Sequence, residues 1–83
     1  MVHAAAVRVA RVGERVNVIV NGDTRQVDNG ITVRDLLHQL GIDPDARGIA
    51  VARNGDVVIR SRWSEQQLSD ADSLEVLHAV QGG

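Results

Sequence analysis

Two Asn–Gly dipeptides, at positions 21–22 and 54–55, constrain the fold of this chain more than any other feature. Asn–Gly is strongly preferred in two-residue β-hairpin turns, because both residues tolerate the positive φ angles that these turns require. Short apolar runs flank each dipeptide, and before the first one valines occupy every second position. The sequence therefore predicts two hairpins, with strands over 16–20, a return through Val27, and strands over 49–52 and 57–59.

A helix is predicted between the two hairpins. Thr32, followed three residues later by Asp35, resembles a capping box at a helix N-terminus. Gly41 is placed to end the helix, with Pro44 just beyond it. The apolar residues between these signals have the i, i+3, i+4, i+7 spacing of one helical face: Val33, Leu36, Leu37 and Leu40.

The rest of the chain is predicted to add a helical turn, a bend and a fifth strand. Residues 61–67 are expected to form the helical turn around Trp63, residues 68–72 a polar bend, and residues 73–80 the strand. A helix with one apolar face packs most simply across one face of a sheet. We therefore expect an α+β fold of the β-grasp (ubiquitin-like) type, with one main helix across a mixed sheet of four to five strands.

The chain has 83 residues and a formal net charge of −2. A domain of this size holds one modest core and little material for a deep catalytic pocket, so we expect no enzymatic activity of its own. We expect residues 15–80 to form the domain and 81–83 a flexible tail. Residues 1–14 are expected to be an extension, either disordered or adding a strand at a sheet edge. No apolar run approaches the roughly 20 residues of a membrane span, and a cytoplasmic location is expected.

Composition and spacing argue against several other kinds of site. The chain contains no cysteine, so it has no disulfide framework and no thiolate metal site. His3, His38 and His78 lack the i, i+4 spacing of paired ligands, and we expect no metal. Asp70 and Asp72 are interpreted as turn residues rather than a catalytic pair. The acidic balance and a single aromatic residue argue against nucleic-acid binding.

The chain ends in Gly82-Gly83, and the last residue carries the free α-carboxylate. Glycine has no Cβ, so a tail of this kind can pass close to a partner's surface. With Gln81, the tail reaches at most about 10 Å beyond the preceding strand, at 3.3–3.6 Å per residue. We therefore predict that the tail delivers its carboxylate into another protein's site; a frayed end is the alternative.

Alternation along the last strand predicts a surface for a protein partner. Leu74 and Val76 share one face of this strand, and Leu77 and Ala79 share the other. If the first pair fills the core, the second set lies on the exposed sheet face beside the root of the tail. Scattered surface apolar residues without a partner are the alternative. The candidate partner-binding residues are Leu77, Ala79, Gln81 and Ile19.

Four segments between residues 16 and 83 resemble the ThiS family of bacterial sulfur carriers in thiamin biosynthesis, β-grasp proteins related in fold to ubiquitin. They read VNVIVNGD, TVRDLLHQLG, AVARNGDVVIRSRW and DSLEVLHAVQGG. The more specific features are the Arg60-x-x-Trp63 spacing and the di-glycine end. A proline commonly precedes this arginine in the family, whereas this chain has Ile59, and the N-terminal extension is also unusual.

The resemblance implies that Gly83 is the residue that carries sulfur and that Gly82 gives the tail its flexibility. An E1-like, ThiF-like enzyme would adenylate the Gly83 carboxylate. A donor such as a cysteine desulfurase would supply the sulfur that displaces AMP and leaves a thiocarboxylate, and a ThiG-like thiazole synthase would accept it. The activating partner consumes ATP, and no cofactor is expected on the carrier.

Two alternatives stay open at this point. The small subunit of molybdopterin synthase, or a carrier of another sulfur pathway, would share the fold, the di-glycine end and the activation, and would differ in the sulfur acceptor. The Arg60-x-x-Trp63 segment favours the thiamin carrier. A ubiquitin-like interaction module would instead use the sheet face and need no chemistry at the terminus.

Overall fold

The computed structural model describes residues 14–79, which form a five-stranded mixed sheet with one α-helix packed across it. The elements are β1 (Arg15–Val20), β2 (Asp23–Asp28), α1 (Val33–Gln39), β3 (Ile49–Arg53), β4 (Asp56–Val57), a 3₁₀ helix (Arg60–Arg62) and β5 (Ser73–His78). The strand order is β2-β1-β5-β3-β4, where β1 and β5 are parallel and the other neighbours are antiparallel. This architecture confirms the predicted β-grasp fold.

Both predicted hairpin turns form at the Asn–Gly dipeptides. The φ angles are 50° at Asn21 and 88° at Gly22, and 51° at Asn54 and 89° at Gly55. Positive φ at both central residues is the geometry of the turn type whose twist matches that of the flanking strands. The predicted extension, apart from Glu14, and the predicted tail at 81–83 lie outside the described residues.

The strand after the second turn differs from the prediction. It covers Asp56–Val57 instead of 57–59. The backbone N–H of Val58 still donates to the carbonyl of Val51 at 2.8 Å, but Ile59 is the N-cap of the 3₁₀ helix, so the chain leaves the sheet there. The side chains of Val57 and Ile59 are 76% and 60% exposed. Apolar residues at these two positions are therefore not buried. The helical turn predicted over 61–67 is a shorter 3₁₀ helix that covers only Arg60–Arg62.

Helix α1 is capped at both ends by the residues that the sequence indicates. Thr32 Oγ1 accepts a hydrogen bond from the backbone N–H of Asp35 at 3.1 Å. Gly41 has φ 79°, and the N–H groups of Gly41 and Ile42 donate to carbonyl groups of the last turn at 3.0 and 2.9 Å. This pair of bonds is a Schellman motif, which satisfies carbonyl groups that the end of a helix leaves without partners.

The core lies between α1 and one face of the sheet. Leu74 and Val76 of β5 are buried, as the alternation predicts, whereas Leu77 between them and the tail is 68% exposed. Trp63 is also buried, and its Nε1–H donates to the carbonyl of Val58 at 2.8 Å. The buried apolar residues are Val16, Val18, Val20, Val27, Ile31, Val33, Leu36, Leu37, Val51, Trp63, Leu68, Leu74 and Val76.

Candidate functional site

Strand β5, which leads into the predicted tail, lies at the centre of the sheet. It pairs with β3 over residues 74–78 and with β1 at its beginning. The backbone N–H of Ala79 donates to the carbonyl of Gly48 at 2.7 Å, which extends the pairing with β3 one residue beyond the strand. Gln81, Gly82 and Gly83 lie outside the described residues. Their roles in delivering the carboxylate stay predictions.

Two of the predicted partner-binding residues lie close together on the exposed sheet face. Ile19 and Leu77 line one shallow depression, together with the exposed Glu75. We call these three residues the sheet-face patch. Ala79 is exposed, but it lies one residue beyond β5 and does not line the depression. The patch combines apolar surface with one acidic group beside the strand that leads to the tail, a composition that suits contact with another protein.

Asn21 holds β5 through its side chain, a contact that sequence reasoning missed. Its backbone N–H donates to the carbonyl of Leu74 at 2.9 Å. Its side-chain Nδ2 donates to the carbonyl of Val76 at 3.1 Å, and its Oδ1 accepts the N–H of Val76 at 2.9 Å. The amide therefore continues the pairing of β1 with β5 past the end of β1. Asparagine has both a donor and an acceptor for this purpose, whereas the aspartate of an Asp–Gly turn has only acceptors when ionised.

Asn54, in the other hairpin turn, holds the opposite side of β5. Its backbone N–H donates to the carbonyl of Ser73 at 2.7 Å, and its Oδ1 accepts the N–H of Ser73 at 2.9 Å. Its Nδ2 donates to the carboxylate of Asp72 at 3.0 Å. Asn21 and Asn54 therefore fix both edges of the strand, Asn54 at its start and Asn21 in its middle.

Asp72 is a buried carboxylate immediately before β5, only 6% exposed. It accepts hydrogen bonds from Arg53 Nε at 2.8 Å, from the backbone N–H of Ser69 at 2.8 Å and from Asn54. Burial alone would raise the pKa of the carboxyl, but these bonds and the charge of Arg53 outweigh burial and hold that pKa below its usual range. The prediction of a turn residue was incomplete, because Asp72 joins the bend to β3 as well.

Asp72→Asn is expected to lower the free energy of unfolding by about 2 kcal/mol at pH 7, because it removes charge-assisted hydrogen bonds. A carboxyl whose pKa is lowered by folding stabilises the protein above its unfolded pKa of about 3.9, and that contribution is lost as the pH falls through the folded pKa. The difference between wild type and variant should therefore shrink from about pH 5 towards pH 2, as measured by urea unfolding.

The control for this prediction is Asp56→Asn, which removes an exposed carboxylate on β4. It should change the free energy of unfolding by less than about 0.5 kcal/mol at any of these pH values. A difference between wild type and Asp72→Asn that stays constant from pH 7 to pH 2 would show that the charge of Asp72 does not stabilise the fold.

The Arg60-x-x-Trp63 spacing has a structural basis. The guanidinium carbon of Arg60 lies 4.6 Å from the centroid of the Trp63 ring, a cation–π arrangement. The same guanidinium donates to the carbonyl of Pro44 and, at 2.6 Å, to the carbonyl of Ala46. Arg60 therefore joins the loop that follows α1 to the 3₁₀ helix. In the described structure this arginine packs on Trp63 and on the loop after α1.

Among residues 14–79, no group of three or more His, Cys, Asp or Glu side chains is arranged to hold a metal ion. The helices found there are all too short or too polar to cross a lipid bilayer. Asp70, which the sequence placed in the same bend as Asp72, accepts the backbone N–H of Asn17 at 2.9 Å.

Comparison with known proteins gives consistent results. The model of the ThiS family matches residues 18–83. The chain is 32% identical over 66 residues to the "Sulfur carrier protein ThiS" of Escherichia coli, a match that covers 80% of this chain and 97% of that protein. It is 31% identical to the crystal structure of the thiamine biosynthesis protein ThiS from Geobacter metallireducens, with a TM-score of 0.67 over 82% of this chain and 100% of the other.

A further relative is a much longer protein. The chain is 35% identical over 66 residues to the "Thiazole synthase" of Paramagnetospirillum magneticum, and the match covers 80% of this chain. It spans only 20% of the length of that protein. The segment that resembles this chain is therefore one part of a larger polypeptide in that organism.

Proposed function

This chain belongs to the ThiS family, and on that basis we propose that it is a sulfur carrier of thiamin biosynthesis, which carries sulfur as a thiocarboxylate at Gly83. The observation that carries the proposal is the family match, which runs through residue 83 and so includes both terminal glycines. The curated relative from Escherichia coli, which matches over nearly its whole length, is named a sulfur carrier protein.

The proposed reaction has two steps on the Gly83 carboxylate. In the first, a carboxylate oxygen attacks the α-phosphorus of ATP in an E1-like partner, an acyl-adenylate forms, and pyrophosphate leaves. In the second, sulfide attacks the carbonyl carbon, the bond from that carbon to the oxygen of AMP breaks, and AMP leaves with the electron pair. The thiol proton is released, and a thiocarboxylate remains. A free carboxylate is a poor electrophile, so the adenylate supplies the leaving group that it lacks.

In this reaction the chain positions the Gly83 carboxylate, and the partner enzyme supplies the catalysis. Strand β5 is held along both edges by β1 and β3 and by the amides of Asn21 and Asn54. The tail therefore begins from a fixed point of the domain. A carboxylate at a short, fixed distance from a rigid docking surface reaches a partner's active site with little loss of conformational entropy.

Thiazole synthase is the proposed sulfur acceptor. Support comes from the relative in Paramagnetospirillum magneticum, where a segment like this chain is part of a protein named thiazole synthase. Joining two segments in one polypeptide raises the effective concentration of one for the other, which is advantageous when they act on each other. The loaded carrier should therefore lose its sulfur when a thiazole synthase and its other substrates are added.

The proposed function is tested by intact mass measurement. The protein is incubated with ATP, sulfide and a ThiF-like adenylating enzyme, and we expect one oxygen of the chain to be replaced by sulfur at Gly83. Omission of ATP should prevent the shift. The Escherichia coli ThiS protein serves as the control that proves the enzyme active. An unshifted mass beside a loaded control would contradict the proposal and favour a ubiquitin-like interaction module.

A further inference from the structure

Gly48 lies against the backbone at the point where the chain leaves the sheet. Its φ angle is 80°, and its carbonyl accepts the N–H of Ala79 at 2.7 Å. A Cβ built on Gly48 would lie 3.1 Å from the carbonyl oxygen of Ala79 and 3.3 Å from its Cβ. These distances are shorter than ordinary van der Waals contact, so a side chain at position 48 would require Ala79 to shift by a few tenths of an ångström.

The other glycines of the described residues do not have this environment. Gly22, Gly30, Gly41 and Gly55 also have positive φ angles, but a Cβ added to any of them would meet nothing within 4 Å. At these four positions only the positive φ angle favours glycine. Gly48 serves the backbone conformation and also allows close approach to the neighbouring strand. The close approach occurs at Ala79, the last described residue before the tail.

The bond between Gly48 and Ala79 is the last described contact of the chain with the sheet before Gly83. Four residues follow Ala79, which is a reach of roughly 13–14 Å at 3.3–3.6 Å per residue. A change in where Ala79 lies moves the origin of the whole segment. Because only four residues follow Ala79, a tail that must be extended to reach its site cannot compensate for a shifted Ala79. An error of about 1 Å in the placement of a reacting group costs up to about 100-fold in rate.

We propose that Gly48 is a positioning residue for the reaction at Gly83: it lets Ala79 bond closely to β3, and so fixes the point and direction from which the tail enters the site of the activating partner. This inference rests on the proposed sulfur-carrier function. Gly48 acts through Ala79, and its effect falls on the rate of adenylation rather than on the docking of the sheet-face patch.

The test compares Gly48→Ala with Gly41→Ala in steady-state adenylation by a ThiF-like enzyme. The two glycines have φ angles of 80° and 79°, so alanine is similarly strained at both, but only position 48 meets Ala79. We expect Gly48→Ala to lower kcat about tenfold and to change KM for the carrier less than about threefold. Gly41→Ala should keep the wild-type kcat and KM. Circular dichroism at the assay temperature establishes that both variants are folded.

Hydrogen exchange provides a direct second measurement. The Ala79 amide should exchange faster in Gly48→Ala than in Gly41→Ala, because its bond to the Gly48 carbonyl is weakened. If Gly48→Ala does not fold, Ala79→Pro removes the same N–H from the other side and is expected to lower kcat by a similar factor.

The alternative outcomes each overturn the inference. Equal kcat values for Gly48→Ala and Gly41→Ala would show that close approach at Ala79 is irrelevant to the reaction. A raised KM with unchanged kcat would assign Gly48 to docking instead of positioning. If wild type itself is not adenylated by an enzyme that loads a known carrier, the proposed function fails and this inference fails with it; the wild-type reaction therefore separates the two failures.

Discussion

Deleting Gly83, or adding one alanine after it, is expected to abolish sulfur loading, with a loss of more than about 100-fold in rate. Either change moves the carboxylate by about 3.5 Å along an extended tail, which is several times the error that an active site tolerates. The melting temperature should stay unchanged in both variants. The core residues lie between Val16 and Val76, and the described pairing with β3 extends only to Ala79.

Intact mass after incubation with ATP, sulfide and the adenylating enzyme measures this loss. A single alanine added before Met1 is the matched control, because it adds the same residue and leaves the carboxylate of Gly83 in place; this variant should be loaded at the wild-type rate. Normal loading of either tail variant would mean that the terminus is not the reacting group. A ubiquitin-like interaction module would tolerate both changes at Gly83.

Glutamate at two successive positions of β5 is expected to have opposite consequences. Val76→Glu should destabilise the domain by about 4 kcal/mol or more, because Val76 is 6% exposed and the substitution buries a carboxyl in the apolar core. Most of the stability of a small domain would be lost. Leu77→Glu should leave the fold intact, because Leu77 is 68% exposed. It should weaken binding to the activating enzyme about tenfold, since it places a charge in the sheet-face patch.

Thermal melting and titration calorimetry separate these outcomes. Gln39→Glu is the control for added negative charge, because Gln39 is exposed on α1, which packs against the other side of the sheet. It should change neither the melting temperature by more than a few degrees nor the affinity for the enzyme. If Leu77→Glu binds as tightly as Gln39→Glu, the sheet-face patch is not the docking surface. A folded Val76→Glu would contradict the burial of Val76.

Local sequence patterns were sufficient to predict much of this fold. The alternation in β5 separated buried Leu74 and Val76 from exposed Leu77. The two Asn–Gly dipeptides located the hairpin turns, and Thr32 and Gly41 located the ends of α1. These features depend on backbone angles and on periodicity, which are set by neighbouring residues. The family resemblance to ThiS was confirmed as well.

These local patterns could not predict contacts between distant parts of the chain. Asn21 bonds to Val76, 55 residues away, and Asp72 bonds to Arg53 in another strand. Neither partner follows from the residues beside it, because a turn asparagine and a bend aspartate have adequate local explanations. The early end of β4 has a similar origin, since the chain turns at Val58 and Ile59 into the 3₁₀ helix that precedes the buried Trp63.

The candidate site was less predictable from the sequence than the fold. The chemistry at Gly83 was inferred from the di-glycine end and the resemblance, and it stays a prediction because residues 80–83 lie outside the described structure. The position of Leu77 on the exposed face followed from parity alone. The contact of Gly48 with Ala79 was not predictable, because it requires the pairing of β3 with β5 to be known residue by residue.

The central position of β5 also has a mechanical consequence. When a partner holds the end of the chain, tension reaches the domain along the axis of β5, which lies between β1 and β3. The hydrogen bonds to both neighbours cross that axis, so a pull loads them in shear and together instead of breaking them one at a time. The amides of Asn21 and Asn54 add to the same resistance. A pull on the end of the chain is therefore resisted by the hydrogen bonds along both edges of β5 at the same time.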